Sequence, residues 1–144
     1  APTYPDPKAD RGLHHFSFSL YPHAGDWRQA ETIRRGYEFN YPLMARQVTA
    51  HEGKYPSEYS FLTIKPNNVI LTAVKKAEDS HSLILHLYES QGRGGKVNLR
   101  VANPIKKAAL ANLMEQPLQS IAVNNNEISF PVKPFEIAAI KMDY

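Results

Sequence analysis

The chain has 144 residues, 42% of them hydrophobic, no cysteine, and a formal net charge of +3. That length suffices for one domain with its own core, and the lack of thiols excludes disulfides and thiolate metal sites and fits a reducing, cytoplasmic setting. Lys and Arg are interspersed with acids, which argues against a nucleic-acid surface, and no apolar run approaches the ~18 residues of a membrane helix, so no membrane partner is expected.

Residues 1–9 begin without Met and carry Pro2, Pro5 and Pro7. They read as a stiff connector, the remnant of a preceding domain, with a single domain over residues 10–144. Asp10-Arg11-Gly12 makes a turn. Residues 14–21 alternate, with His14, Phe16, Phe18 and Leu20 on one face and His15, Ser17, Ser19 and Tyr21 on the other, which predicts a strand. Pro22 and Gly25 break the chain into a loop. From Trp27 the period lengthens: Trp27, Ala30, Ile33, Tyr37 and Tyr41 recur at three- and four-residue steps and predict one amphipathic helix near residues 27–39. Asp26 is its expected N-cap and Pro42 its stop, and its expected place is over an open edge or end of a sheet.

Residues 43–48 predict a further strand, and residues 51–60, with Gly53 and Pro56, a surface loop. Residues 61–64 lead into 69–75, and after polar breaks come 83–89 and 96–101. These runs predict three strands laid side by side as a meander. The runs starting at Val69 and Leu83 are nearly continuously apolar, as in strands covered on both faces. Val97, Leu99 and Val101 alternate with Lys96, Asn98 and Arg100, as in a half-buried strand. Residues 108–113 are ambiguous between helix and strand. Asn124-Asn125-Asn126 predicts a tight turn joining 121–123 to 127–132, Pro131 and Pro134 place that part at a sheet edge, and 135–142 is the closing strand. The expected fold is all-β: an antiparallel two-sheet β-sandwich of about eight strands with one inserted α-helix.

Local chemistry is sparse. His14, His15, His23, His51, His81 and His86 show no H-x-x-x-H or H-x-D spacing, so no metal site is expected in this chain. There is no G-x-S-x-G elbow, and Glu78-Asp79 falls in a polar turn, as a solvated carboxylate pair does. Gln91-Gly92-Arg93-Gly94-Gly95 joins two strands and opens no helix, so it reads as a hairpin loop rather than a phosphate cradle. Trp27, Tyr37, Phe39, Tyr41, Tyr55 and Tyr59 offer faces on which sugar rings could stack, although Trp27 and Tyr37 fall on the helix's packing stripe.

The run from Ala9-Asp10-Arg11-Gly12 through Tyr21-Pro22-His23-Ala24-Gly25-Asp26-Trp27 resembles glycoside hydrolase family 38, the α-mannosidases. So do Asn68-Val69-Ile70-Leu71-Thr72-Ala73-Val74-Lys75-Lys76-Ala77-Glu78-Asp79, the run 83–89 and Pro134-Phe135-Glu136-Ile137. The resemblance is to the C-terminal β-sandwich domain of such enzymes. It implies a parent chain with a catalytic α/β domain and a helical bundle as partners, Zn²⁺ held in the catalytic domain, and retaining hydrolysis of α-mannosides by two carboxyl groups. No catalytic residue is expected in this chain, which would scaffold the catalytic domain and close one side of the sugar cleft; a homo-oligomer is left open. Asp10-Arg11-Gly12 matches a family motif beside that cleft. The resemblance thus implies substrate binding by Arg11, with Asp10 orienting its guanidinium, against the alternative of an ordinary turn arginine. The rival to a scaffold domain is an independent carbohydrate-binding module.

Overall fold

A computed structural model describes residues 11–144; the expected connector at residues 1–9, and Asp10, lie outside the described residues. Along the chain come helix α1 (Thr32–Asn40) and strands β1 (Leu62–Lys65), β2 (Val69–Lys76), β3 (Leu83–Glu89), β4 (Gly95–Val101), β5 (Lys107–Ala111), β6 (Pro117–Ile121), β7 (Val123–Asn124), β8 (Glu127–Val132) and β9 (Ile137–Asp143). Wholly antiparallel pairing builds a four-stranded sheet in the order β1-β4-β8-β7 and a five-stranded sheet in the order β2-β3-β9-β5-β6. The expected two-sheet sandwich with one helix is thus what forms.

Period-two patterning puts one face of each sheet into a common core. Leu85, Leu87, Ala138, Ile140 and Met142 from the larger sheet meet Val97, Leu99, Ile128, Phe130 and Val132 from the smaller. Each fully buried large side chain contributes about 2 kcal/mol, so the sandwich has its own hydrophobic anchor. β4 alternates as expected, with Val97, Leu99 and Val101 buried and Lys96, Asn98 and Arg100 exposed. The ambiguous run 108–113 resolves as strand β5, pinned between β9 and β6. The turn after β7 places Asn125 (φ 49) and Asn126 (φ 62) in the left-handed region, the conformation that tight hairpins demand and Asn tolerates. Pro131 lies beyond the reach of two-residue β7, which pairs only with Ile128 and Glu127, so its missing N–H falls on a free edge.

Several expectations are corrected. Residues 14–21 and 43–48 carry no regular secondary structure and belong to neither sheet, and Phe16, Phe18, Leu20, Leu43 and Met44 stand exposed. The run 96–101 does not lie beside β3: it crosses to the other sheet and pairs with β1 and β8. The glycine-rich segment is accordingly a crossover and no hairpin loop, its reversals made at Gly92 (φ 72), Gly94 (φ 59) and Gly95 (φ 127). Of the two most apolar runs, β3 is interior as expected, whereas β2 is an edge strand whose second half is largely exposed.

The helix begins five residues later than its periodicity predicts. Asp26 and Gln29 form a reciprocal cap: Arg28 N and Gln29 N donate to Asp26 Oδ1, each at 2.9 Å, and Asp26 N donates to Gln29 Oε1 at 3.1 Å. This is the capping-box arrangement, and Asp26 caps the first turn as expected. That turn ends at once. Thr32 N donates to Trp27 O and Glu31 N to Arg28 O, the paired bonds of a Schellman stop, with Glu31 at φ 51 in the place glycine usually takes. α1 then runs to Asn40 and lies on the outer face of the larger sheet beside edge strand β2. There Tyr37 meets Tyr88 at 6.5 Å, and Trp27 and Ile33 line a crevice with Ile70.

Glu89 ends β3 on the same inward face as Leu85 and Leu87, and it is fully buried. Its carboxylate accepts from Asn68 Nδ2 (2.7 Å), Gln91 N (2.8 Å), Gly92 N (2.7 Å), Arg93 N (3.2 Å) and Phe135 N (3.0 Å). Burial alone would raise its pKa, but the N–H groups of Phe135, Asn68, Gln91 and Gly92 prevail and hold it at about 2. A carboxyl group depressed in the folded state stabilises the fold fully above its unfolded pKa of 4.5 and loses that contribution as pH falls toward about 2. Glu89→Gln therefore lowers stability at pH 7 by about 2–3 kcal/mol, the cost of mismatched buried donors. In urea titrations the gap from wild type narrows between pH 4.5 and 2; a gap independent of pH defeats the assignment. Gly94→Ala costs about 2 kcal/mol, because the new Cβ would sit 2.9 Å from Val132 O and 3.0 Å from Pro134 Cδ at a positive φ; an unchanged denaturation midpoint rules this out.

Candidate functional site

A set of cationic and amide side chains collects at the end of the sandwich that Glu89 organises. The 66–68 turn before β2 and the 90–94 crossover lie against the 26–31 turn. Arg28 Nε donates to Gln91 O at 2.9 Å, Gln91 Nε2 to Arg28 O at 3.4 Å, Arg34 Nη2 to Asn67 O at 2.9 Å and Asn67 Nδ2 to Glu31 Oε1 at 3.1 Å. Between these segments and β4 opens a cleft of about 680 Å³, whose lining includes Arg28, Lys65, Asn68, Arg93, Lys96 and Asn98. Its cations and amides can donate hydrogen bonds to hydroxyls or anionic oxygens. Sequence reasoning missed this cleft because its donors come from segments far apart in the chain and share no local spacing.

Asp26 anchors the near wall. Its carboxyl is held below the usual carboxylate range by the backbone N–H of Gln29, then by that of Arg28 and by the charges of Arg28 and Arg93, against a contrary effect of desolvation. On the helix side, burial and then the Tyr37 hydroxyl push the Tyr88 phenol up to about 12, so it stays protonated at neutral pH.

The carboxylates singled out by sequence are engaged structurally. Lys75 Nζ bridges Glu78 Oε1 at 2.8 Å and Glu115 Oε1 at 2.7 Å, and Lys141 Nζ binds Asp79 Oδ1 at 2.8 Å. Glu115 Oε2 also accepts from Glu78 N. Donating to Glu115 and Glu78 raises the Lys75 pKa, accepting from Lys75 lowers that of Glu115, and accepting from Lys141 lowers that of Asp79. Groups held charged in this way fasten the 77–82 turn to the β5–β6 turn and are poorly suited to exchange protons.

The aromatic side chains divide into separate groups and form no single platform. Trp27 stacks with the Arg28 guanidinium at 4.3 Å, Tyr37 stacks on Tyr41 at 5.9 Å, and Tyr55, Tyr59 and Phe61 form an exposed trio with centroids 4.7–5.7 Å apart. Among the described residues no three or more His, Asp and Glu side chains are grouped as a metal-ligand set, and no helix is long and apolar enough to cross a membrane. Arg11 is exposed beside Gly12, which sits at φ 122; Asp10, its expected orienting partner, lies outside the described residues.

Comparison with known proteins converges on one family. The model described as the glycosyl hydrolases family 38 C-terminal beta sandwich domain matches residues 68–140, from the residue before β2 into β9. The chain is 32% identical over 146 residues to Alpha-mannosidase 2C1 of Mus musculus, covering 97% of this chain. It is 29% identical over 150 residues to Alpha-mannosidase G of Dictyostelium discoideum, covering 98%, and 25% identical over 170 residues to Alpha-mannosidase of Saccharomyces cerevisiae, covering 99%. It spans 14%, 13% and 15% of those relatives' respective lengths. A sandwich built of the matched strands, together with relatives aligned along the whole chain, places this protein in the glycoside hydrolase family 38 C-terminal β-sandwich domain family.

Proposed function

We propose that this chain serves a zinc-dependent retaining α-mannosidase as the domain that scaffolds its catalytic α/β domain and helical bundle and closes one side of the α-mannoside cleft. The observation that carries the reading is the contrast in coverage: relatives named alpha-mannosidase align with at least 97% of this chain while extending far beyond it. Among the described residues no three or more His, Asp and Glu side chains are grouped as ligands for zinc, and in this reading the ion is held by the catalytic domain of the parent enzyme. The cysteine-free composition fits a cytoplasmic location for that enzyme.

Within this reading Arg11 donates hydrogen bonds to a sugar hydroxyl, oriented by Asp10. Its support is its exposed position outside both sheets and a planar fork of donors suited to paired oxygens. In the full-length enzyme, Arg11→Ala lowers kcat/KM for an aryl α-mannoside about 10-fold or more, corresponding to the loss of one charged hydrogen bond, with no change in thermal midpoint. Unaltered kinetics reject the role. The exposed trio of Tyr55, Tyr59 and Phe61 favours the second reading, an independent carbohydrate-binding module. Titrating the 144-residue chain with mannose oligomers while following tyrosine and Trp27 emission, with calorimetry in parallel, separates the two. The scaffold reading expects no saturable signal.

A further inference from the structure

Residues 13–20 have the side-chain pattern of a strand and belong to neither sheet. Phe16, Phe18 and Leu20 are 84%, 81% and 86% exposed. As a strand they would project to one side, with Ser17 and Ser19 on the other. Single exposed apolar side chains are ordinary on a protein surface, but three in register on a backbone outside any ladder form a stripe that asks for cover. The sandwich does not supply it, since its core is closed by residues of β2 to β9.

Cover can come from the length by which the relatives exceed this chain. Residues 13–20 lie outside the 68–140 region matched by the sandwich model, yet alignments taking in 97–99% of this chain must include most of them. The same relatives carry more than four fifths of their length beyond the aligned part, since this chain spans only 13–15% of them. We propose that residues 13–20 are a β-strand donated to a sheet in the part of the parent enzyme outside this chain, with Phe16, Phe18 and Leu20 buried against that sheet's core and Ser17 and Ser19 facing away. The proposal rests on the parent reading above and deepens it: Arg11 opens this strand, so the partner sheet, rather than the sandwich, fixes where its guanidinium points.

Hydrogen exchange of the full-length enzyme, read by mass spectrometry over peptides covering residues 14–20, tests the pairing. The expected result is exchange at least about 100-fold slower than in unstructured chain, unaffected by tenfold dilution, and lost locally in Phe18→Asp but retained in Ser19→Asp. Should Phe18→Asp fail to fold, the wild-type protection decides alone. Free exchange of these amides in the full-length enzyme overturns the proposal, and protection that disappears on dilution overturns it in favour of a second copy of the chain. Turnover of an aryl α-mannoside measured on the same sample keeps the two readings apart. Activity with an unprotected segment sinks the donated strand alone, whereas protection without activity sinks the mannosidase reading and leaves the strand standing.

Discussion

A carboxylate without water governs one end of this molecule. Glu89 lies fully buried at the inter-sheet end of β3, where an unpaired charge would cost several kcal/mol. Five N–H groups, from Asn68, Gln91, Gly92, Arg93 and Phe135, take the place of its hydration. Those donors belong to the turn before β2, the crossover after β3 and the turn before β9. One side chain thereby holds together three connections that share no regular hydrogen-bond ladder, and the backbone donors in the loops find the partner that burial requires. The requirement is mutual: without the loops the charge could not be buried, and without the charge the loop donors would face an apolar core.

The consequence reaches the surface. Ser90 is held by its N–H and hydroxyl to Asn68 O, and Gln91, held by Glu89, accepts from Arg28 Nε through its carbonyl and donates from its side-chain amide to Arg28 O. The adjoining Asn67 accepts from Arg34 at its carbonyl and donates from its side-chain amide to Glu31. The 26–31 turn and α1 therefore dock on loops whose shape is set beneath them, through polar contacts, with no α1 residue fully buried. Exposed ion pairs on the helix, such as Arg35 with Glu31 and Glu38, add little to that. The basic cleft is a by-product of the same geometry, because fixing Gln91 and Arg93 above β4 brings them opposite Lys65 and Lys96.

Much of the sandwich was legible because burial writes a period. Val97, Leu99 and Val101 alternate, and the structure buries them; the Asn-rich turn between β7 and β8 and the closing run of β9 followed from turn chemistry and apolar content. What resisted was sheet membership. Pattern states that β3 and β4 are strands and is silent on whether the chain between them turns back or crosses over. The deciding features, a buried Glu89 and three glycines at positive φ, look in sequence like a polar loop. The late helix start has a similar origin. Periodicity runs unbroken through Glu31, and nothing in the composition of Gln29-Ala30-Glu31-Thr32 announces that a glutamate will occupy the left-handed position. The candidate site was less legible still, since its cleft joins the 28–31, 65–68, 91–93 and 96–98 segments, and of the two motif residues read from the chain, Arg11 is not among its lining and Asp10 lies outside the described residues.

The strands predicted at 14–21 and 43–48 fail to pair for a reason that lies in the sandwich rather than in those segments. A strand needs an open edge, and this fold blunts all four of its own. β1 is four residues long and β7 two. β6 begins at Pro117 and meets β5 through a register shift at Ala111. β2, the one long edge, is interrupted between Leu71 and Ala73, where Thr72 Oγ1 turns to His86 O, and it ends in Lys75 and Lys76. Bulges, prolines, lysines and short lengths each deprive an incoming backbone of a continuous row of partners. Edges so closed keep the sandwich from recruiting stray strands, its own or a neighbour's. They also leave the alternating sequence of residues 14–20 with a period that this sandwich does not satisfy, so local pattern and global fold disagree where Phe16, Phe18 and Leu20 stand exposed.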